Sequence, residues 1–178
     1  MTVEIGPANV RDLTFILGNL RKSDAEEIRA QMPDDMPFEA LTAMCVQPGF
    51  SWVAYHNRMP GDGVPGNGVP VMAFGFMPLT MAGNVLQAWA FGTRRAAVAL
   101  RPIARFAMRE LVPEWRAAGV TRIEARSIVG HVSAHKWLRS LGCAADPLPG
   151  FGRGGQPFVL FSWLLDGPSL GLVDDFAN

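Results

Sequence analysis

Residues able to bind charge or move protons concentrate in the second half of this 178-residue chain. Eight of the fourteen arginines fall between Arg94 and Arg126, and the only carboxylates in that segment belong to three glutamates. The segment therefore carries an excess of five positive charges in a chain whose formal net charge is zero. A local excess of this kind favours a binding site for an anion.

Groups suited to proton transfer lie at the end of this segment and just beyond it. Glu124 falls in a predicted strand, and His131 and His135 fall at the start of a predicted short helix. A carboxylate or an imidazole can act as a general base, and imidazole titrates close to neutral pH. For each residue a purely structural role stays open as the alternative to catalysis. In that role, Glu124 pairs with Arg122 or Arg126 on the same strand face, and His131 makes a local hydrogen bond at the helix start.

Other kinds of site are disfavoured. His131 and His135 have the i, i+4 spacing of zinc ligands, but no third ligand accompanies them. Cys45 and Cys143 are far apart and fit no metal or redox spacing, which predicts reduced thiols. The tryptophans are not interleaved with basic residues, as nucleic-acid binding would favour, and are expected in the core.

The composition predicts one globular domain. The chain is 49% hydrophobic and 18% charged, which excludes a disordered chain or a small disulfide-stapled protein. No run of about 18 apolar residues occurs, and the first residues lack the pattern of a signal peptide, so neither a membrane partner nor export is expected. We expect a single domain over residues 1–165 and a C-terminal tail over residues 166–178.

The first half of the chain predicts helices followed by strands. A strand over residues 2–5 is expected to end at Gly6-Pro7, and Asn9 or Asp12 is expected to cap the next helix. Two more helical segments are predicted over residues 24–31 and 37–45. Strands over residues 50–56, 71–77 and 85–91 then predict an antiparallel meander, with an exposed loop over residues 58–70.

Helix and strand alternate in the second half. Residues 100–115 are amphipathic at the helical period, Pro113 is expected to kink or end that helix, and Gly119 to stop the chain segment. A strand over residues 121–128, a short helix capped by Gly142 and an internal strand over residues 157–165 follow. The sum is an α+β domain.

This order of elements resembles the GNAT acyltransferase superfamily. The stretch 131–143, HVSAHKWLRSLGC, is similar to the last helix of that superfamily, with His131 at the usual asparagine position and Cys143 in place of an aromatic residue. The nearest likeness is to GNAT-like proteins of tailed bacteriophages, including internal virion proteins, through residues 19–26, 88–93 and 135–142. The resemblance implies a mixed, mostly antiparallel central sheet flanked by helices.

The resemblance also implies a co-substrate, acetyl-CoA, and no metal. Its pyrophosphate would lie at the start of the long helix, where backbone N–H groups and the helix dipole favour an anion. The implied cofactor-binding residues are Trp89, Ala90, Phe91, Gly92, Thr93, Arg94, Arg95, Arg101 and His135. The superfamily's loop glycines are replaced by Ala96, Ala97 and Ala99, so a basic, solvated helix start is the alternative interpretation.

For catalysis the resemblance implies a base and an acid. Glu124 or His131 would neutralise the amine, directly or through water. The superfamily's acidic tyrosine is replaced by Leu138, and Tyr55 is the only tyrosine, so Ser133, His131 or His135 would protonate the leaving thiolate. Acetyl-CoA would enter where strands 85–91 and 121–128 separate, pairing with free backbone, and the amine would approach from the side of residues 50–77.

Two functions follow as expectations. The first is an acyl-CoA-dependent N-acetyltransferase acting on an amine. The alternative is a catalytically inactive GNAT-like module that binds phage virion or host proteins, and direct nucleic-acid binding ranks below both. The expected location is the bacterial host cytoplasm, or the virion for the alternative.

Overall fold

The computed structural model describes residues 2–56 and 68–165, and within them a seven-stranded sheet forms the centre of the molecule. The strand order is β1-β2-β3-β4-β5-β7-β6. The strands are β1 (Val3–Pro7), β2 (Ser51–His56), β3 (Val69–Pro78), β4 (Val85–Gly92), β5 (Arg122–Ile128), β6 (Ala144–Leu148) and β7 (Phe158–Leu164).

The sheet is mixed and mostly antiparallel, as the sequence predicts. Strands β2 to β4 form the expected meander, and β1 pairs antiparallel with β2. Strands β4 and β5 are parallel, and β7 pairs antiparallel with both β5 and β6. Two details differ from the predictions. Gly6 and Pro7 lie inside β1, because an edge strand tolerates a proline that has no N–H to donate, and β6 is a strand that the sequence analysis did not predict.

Three helices precede β2. Helices α1 (Val10–Gly18), α2 (Lys22–Arg29) and α3 (Phe38–Cys45) lie close to the predicted segments. Asn9 caps α1, since its side chain accepts a hydrogen bond from the backbone N–H of Asp12 at 3.0 Å. The apolar face of α1 is buried, with Leu13 and Ile16 fully inaccessible.

The long helix continues through the proline that was expected to kink or end it. A 3-10 turn (Ala96–Ala99) leads into α4 (Leu100–Phe106), a π-helical segment (Ala107–Leu111) and α5 (Val112–Ala117). The expectation of an end at Pro113 is wrong. The π segment, whose hydrogen bonds join residues i and i+5, comes just before Pro113, and the helix continues although Pro113 has no N–H to donate. Gly119, with φ of +84°, ends the helix as predicted.

The last helix, α6 (Val132–Ser140), is followed by Gly142 at φ of +81°, the left-handed position predicted for it. Strand β7 lies inside the sheet as predicted. The predicted loop lies largely, and the predicted tail entirely, outside the described residues.

The sheet separates two apolar clusters. One face packs against α4 and α5 through residues such as Leu86, Ile103 and Trp115. The other packs against α1 and α3 through residues such as Leu13 and Phe91. In the part of the chain that is described, no helix has both the length and the apolar character needed to cross a bilayer.

Candidate acyl-transfer site

The parallel ladder between β4 and β5 stops halfway along both strands. Its register runs only from Val85 opposite Arg122 to Ala88 opposite Ala125. Strand β4 continues to Gly92 while paired with β3, and β5 continues to Ile128 while paired with β7. The two strands therefore separate beyond Ala88, and the sheet has an opening between them.

Helix α2 supplies the partners for β4 within this opening. The Gly92 N–H donates to Oδ2 of Asp24 at 2.6 Å, and the Gly92 carbonyl accepts from the backbone N–H of Arg21 at 3.0 Å. Arg21 also donates from Nε to Oδ1 of Asp24 at 2.7 Å. The Asp24 side chain is 1% exposed, so its charge is held by these donors and not by water.

Helix α2 does the same for β5. The Ile128 N–H donates to Oε2 of Glu27 at 3.0 Å, and the Ser127 hydroxyl donates to the same oxygen at 2.7 Å. Separating two strands leaves N–H groups without ladder partners, and burying such groups unpaired costs about 1–3 kcal/mol each. The two carboxylates of α2 thus stabilise the separation.

His131 lies between these carboxylates. Its Nδ1 is 3.0 Å from Oε2 of Glu27, and its Nε2 is 3.3 Å from Oδ1 of Asp24. A carboxylate only accepts, so Nδ1 carries a proton toward Glu27. The contact of Nε2 with Asp24 lacks hydrogen-bond geometry, and Nε2 has no other partner among the described residues. With 4% of its side chain exposed, His131 is nearly enclosed.

A cavity of 360 Å³ passes along the opening. On one side its wall is formed by α2, α3 and β4. On the other it is formed by the α4–α5 helix and α6. Among the predicted site residues, the wall includes Trp89, Ala90, Phe91, His131 and Ser133.

Ala90 offers backbone to this cavity. Successive residues of a strand direct their N–H and C=O groups to opposite sides. The Thr93 N–H bonds to Val71 in β3, whereas Gly92 bonds away from β3, toward α2. Ala90 therefore also presents its peptide groups away from β3, at a level where β5 no longer pairs.

The basic residues after β4 lie at the entrance of the long helix. Arg94 and Arg95 are exposed, and Thr93 is buried, with its hydroxyl accepting from the Arg95 N–H at 3.2 Å. Arg101, six residues after Arg95, is also exposed. The turn is tight, because a Cβ at Gly92 would lie 2.6 Å from the Cβ of Ala96.

Glu124 forms ion pairs with both arginines of its own strand, as its purely structural role predicts. Its carboxylate binds Nε of Arg122 at 2.7 Å and Nη2 of Arg126 at 3.4 Å. Arg126 also donates to the side-chain oxygen of Gln87 at 2.5 Å. The cavity wall includes Arg126 and Gln87 but not Glu124, so of the two predicted bases only His131 adjoins the cavity.

The candidates for the acid are placed differently from one another. Ser133 is exposed at the cavity wall. Leu138, which stands in place of an acid, also lines the cavity and is buried against Ala125 and Phe161. His135 is buried outside the wall, with its ring 5.1 Å from that of Phe161. Tyr55 donates to Asp12 at 2.7 Å on β2, with β3 between it and β4, so it has no place in the opening.

Sequence reasoning missed Asp24 and Glu27. The available signal was their i, i+3 spacing, which places both carboxylates on one face of the predicted helix. That spacing does not reveal which strands the face meets. In the described residues no group of three or more His, Cys, Asp or Glu side chains is arranged to hold a metal ion.

No protein-family model matches the sequence, and no curated protein matches it. Solved structures match its fold. A phosphinothricin acetyltransferase of the GNAT superfamily from Sinorhizobium meliloti, solved with acetyl-CoA, superposes with a TM-score of 0.67 over 98% of this chain and 97% of its own, at 18% identity.

Two further structures agree. The yncA protein of Salmonella typhimurium, solved with its cofactor acetyl-CoA, gives a TM-score of 0.65 at 15% identity, covering 94% of this chain and 96% of its own. An N-acetyltransferase from Staphylococcus aureus Mu50 gives 0.66 at 14% identity, covering 93% and 100%. The fold is that of the GNAT acetyltransferases. At these identities the GNAT likeness establishes the architecture, and the chemistry must be argued from the residues.

Proposed function

We propose that the protein transfers an acetyl group from acetyl-CoA to an amine. The observation that carries the proposal is the opening between β4 and β5, where the ladder ends at Ala88 while both strands continue beside a 360 Å³ cavity. An extended ligand arm can pair with an unpaired strand edge as an added strand would. Two similar structures contain acetyl-CoA.

The residues present fit acetyl-CoA in two ways. The free peptide groups of Ala90 supply a donor and an acceptor for the amides of the pantetheine arm, and Trp89 and Phe91 flank them. Arg94 and Arg95, exposed where the long helix begins, supply positive charge for the pyrophosphate. Arg101 adds positive charge six residues after Arg95, and His135 is buried in α6, where it packs in the core.

The chemical step needs a proton acceptor for the amine and a donor for the thiolate. Of the two predicted bases, only His131 adjoins the cavity, because Glu124 is occupied by two guanidinium groups away from it. Ser133, exposed on the cavity wall, is assigned the donor role that a tyrosine at position 138 would have.

Isothermal calorimetry with acetyl-CoA tests the binding half of this proposal. We expect binding by the wild-type protein and at least tenfold weaker binding when Arg94 and Arg95 are both changed to Ala. Arg109→Ala is the matched control, since Arg109 is an exposed arginine further along the same helix. Absence of heat at millimolar acetyl-CoA would overturn the proposal.

A second candidate is supported by the same opening. Asp24, Arg21 and Glu27 already satisfy Gly92 and Ile128, and Leu138 is 7% exposed where an acid is expected. Both features suit a GNAT-like module without catalysis, such as a phage virion component or a protein that binds host proteins. This candidate predicts no turnover of any amine despite a folded protein.

A further inference from the structure

Glu27 is an acidic residue that the sequence analysis did not select. It lines the cavity, whereas Asp24 and Glu124 do not. The three contacts that fix it, from Ser127, Ile128 and His131, all fall on Oε2. Within residues 2–56 and 68–165, Oε1 has no hydrogen-bond partner. The Glu27 side chain is 15% exposed.

The cavity wall is mostly apolar, with Gln31, Gln87 and Ser127 among its few polar members. Its apolar members include Ile28 of α2, Met32 just after that helix, Leu41 and Met44 of α3, and Trp89 of β4. Ile28, Leu41 and Trp89 pack with the buried cluster on this face of the sheet. Of the two arginines in the wall, Arg21 is paired with Asp24 and Arg126 with Glu124.

His131 does not offer a free nitrogen to this part of the cavity. Both ring nitrogens face carboxylates, Nδ1 at 3.0 Å and Nε2 at 3.3 Å, and Nε2 is buried. An amine entering the cavity therefore meets the carboxylate that His131 holds before it meets the imidazole. His131 therefore acts as a positioning residue for Glu27, and not as the base that the resemblance implied.

Resting on the proposed acetyl transfer, we propose that Oε1 of Glu27 binds the amino group of the acceptor, and that the acceptor is a primary amine on an apolar body. The ammonium donates to Oε1 and leaves one proton there. The neutral nitrogen then forms a bond to the thioester carbonyl carbon, and the C–S bond breaks with its electron pair on sulfur. The second proton lost by nitrogen goes to the thiolate through the Ser133 hydroxyl.

Steady-state kinetics with matched amines test the acceptor class. Hexylamine and phenethylamine are compared with ethanolamine and glucosamine, which carry the same amino group on polar bodies. We expect kcat/KM to be at least tenfold higher for the apolar pair. Equal or higher values for the polar pair, or no turnover of either apolar amine by a protein that binds acetyl-CoA, would overturn the inference.

Glu27→Gln tests the residue. The amide oxygen still accepts from Ser127 and Ile128, so the strand contacts are retained, while the charge and the proton acceptor are lost. We expect kcat/KM for hexylamine to fall at least 100-fold and the Kd for acetyl-CoA to change less than twofold. Glu26→Gln, an exposed neighbour on α2, is the control and should keep wild-type kinetics. Wild-type kinetics in Glu27→Gln would overturn the role of Glu27.

A measurement on the wild-type protein covers the case in which Glu27→Gln does not fold. Hexylamine and hexanol are titrated into the protein saturated with CoA, and we expect hexylamine to bind at least tenfold more tightly because only it carries the ammonium group. Equal affinities contradict the inference. If the wild-type protein does not bind acetyl-CoA, in contrast, the proposed function itself is contradicted.

Discussion

At the scale of single residues, the loss of the Asp24 side chain should strongly lower stability. This side chain is 1% exposed and joins the Gly92 N–H to the Arg21 guanidinium. Removing it leaves a buried donor and a partly buried cation without a partner.

We expect Asp24→Ala to lower the free energy of unfolding by about 3 kcal/mol. Urea denaturation checks the value. Glu26→Ala, which removes an exposed carboxylate of the same helix, should change it by less than about 0.5 kcal/mol. A loss that small for Asp24→Ala would mean that water replaces the carboxylate in the opening.

His135 predicts a pH dependence of stability. Burial lowers the pKa of His135 in the folded protein, with the nearby Arg139 acting in the same direction. The unfolded chain therefore binds a proton at about pH 6.5 that the folded chain does not, and stability falls as the pH drops below that value.

His135→Leu should remove this part of the dependence. Unfolding free energies measured from pH 7.5 down to pH 5.5 should fall less in the variant than in the wild-type protein, with the difference approaching about 1.4 kcal/mol per pH unit at most. Parallel curves would show that His135 is protonated equally easily in both states.

At the scale of elements, the sequence predicted most strands and helices but not how α2 docks. The meander, the long helix and α6 follow from period, caps and glycines, all of which are local signals. Strand β6 was missed because its residues, AADPL, are exposed and include a proline. The π segment was missed because Pro113, which follows it, usually ends a helix.

Only part of the site was predicted, because local signals indicate some of its residues and not others. Ala90 and Gly92 lie in a recognisable strand and Thr93 and Arg94 follow it directly, so local signals indicate all four, and of these Ala90 lines the cavity. Glu27 meets Ile128 from 101 residues away. No local pattern encodes such a contact, because it depends on how α2 packs against the separated strands.

The turn that follows β4 gives an element-scale prediction. A Cβ at Gly92 would lie 2.8 Å from the Val71 carbonyl oxygen and 2.6 Å from the Ala96 Cβ, both of which are fixed by the strand pair and the helix start. We expect Gly92→Ala to destabilise the protein by about 1–3 kcal/mol, measured by chemical denaturation.

Gly18→Ala is the matched control. A Cβ at Gly18, the last residue of α1, meets no atom within 4 Å, so this change should raise stability by about 0.4–1 kcal/mol through the unfolded chain. Equal effects at the two glycines would contradict the close approach at Gly92.

At the scale of the whole molecule, the cavity is lined by the sheet and by helices from both of its faces. A ligand that binds there stabilises the folded state alone. At a concentration 100 times its Kd, acetyl-CoA should add about 2.7 kcal/mol, which raises Tm by about 5–11 °C for a chain of this size. Differential scanning fluorimetry measures the shift. Adenosine at equal concentration should give a smaller shift because it lacks the pantetheine arm.

The contacts that hold the opening join distant parts of the chain. Asp24 bonds to a residue 68 positions away and Glu27 to residues 100 and 101 positions away. Contacts of long sequence separation form late, because loop closure must precede them. During refolding, competence to bind the thioester should consequently arise after the bulk of the circular-dichroism signal, as the amino-terminal helices settle onto an almost finished sheet.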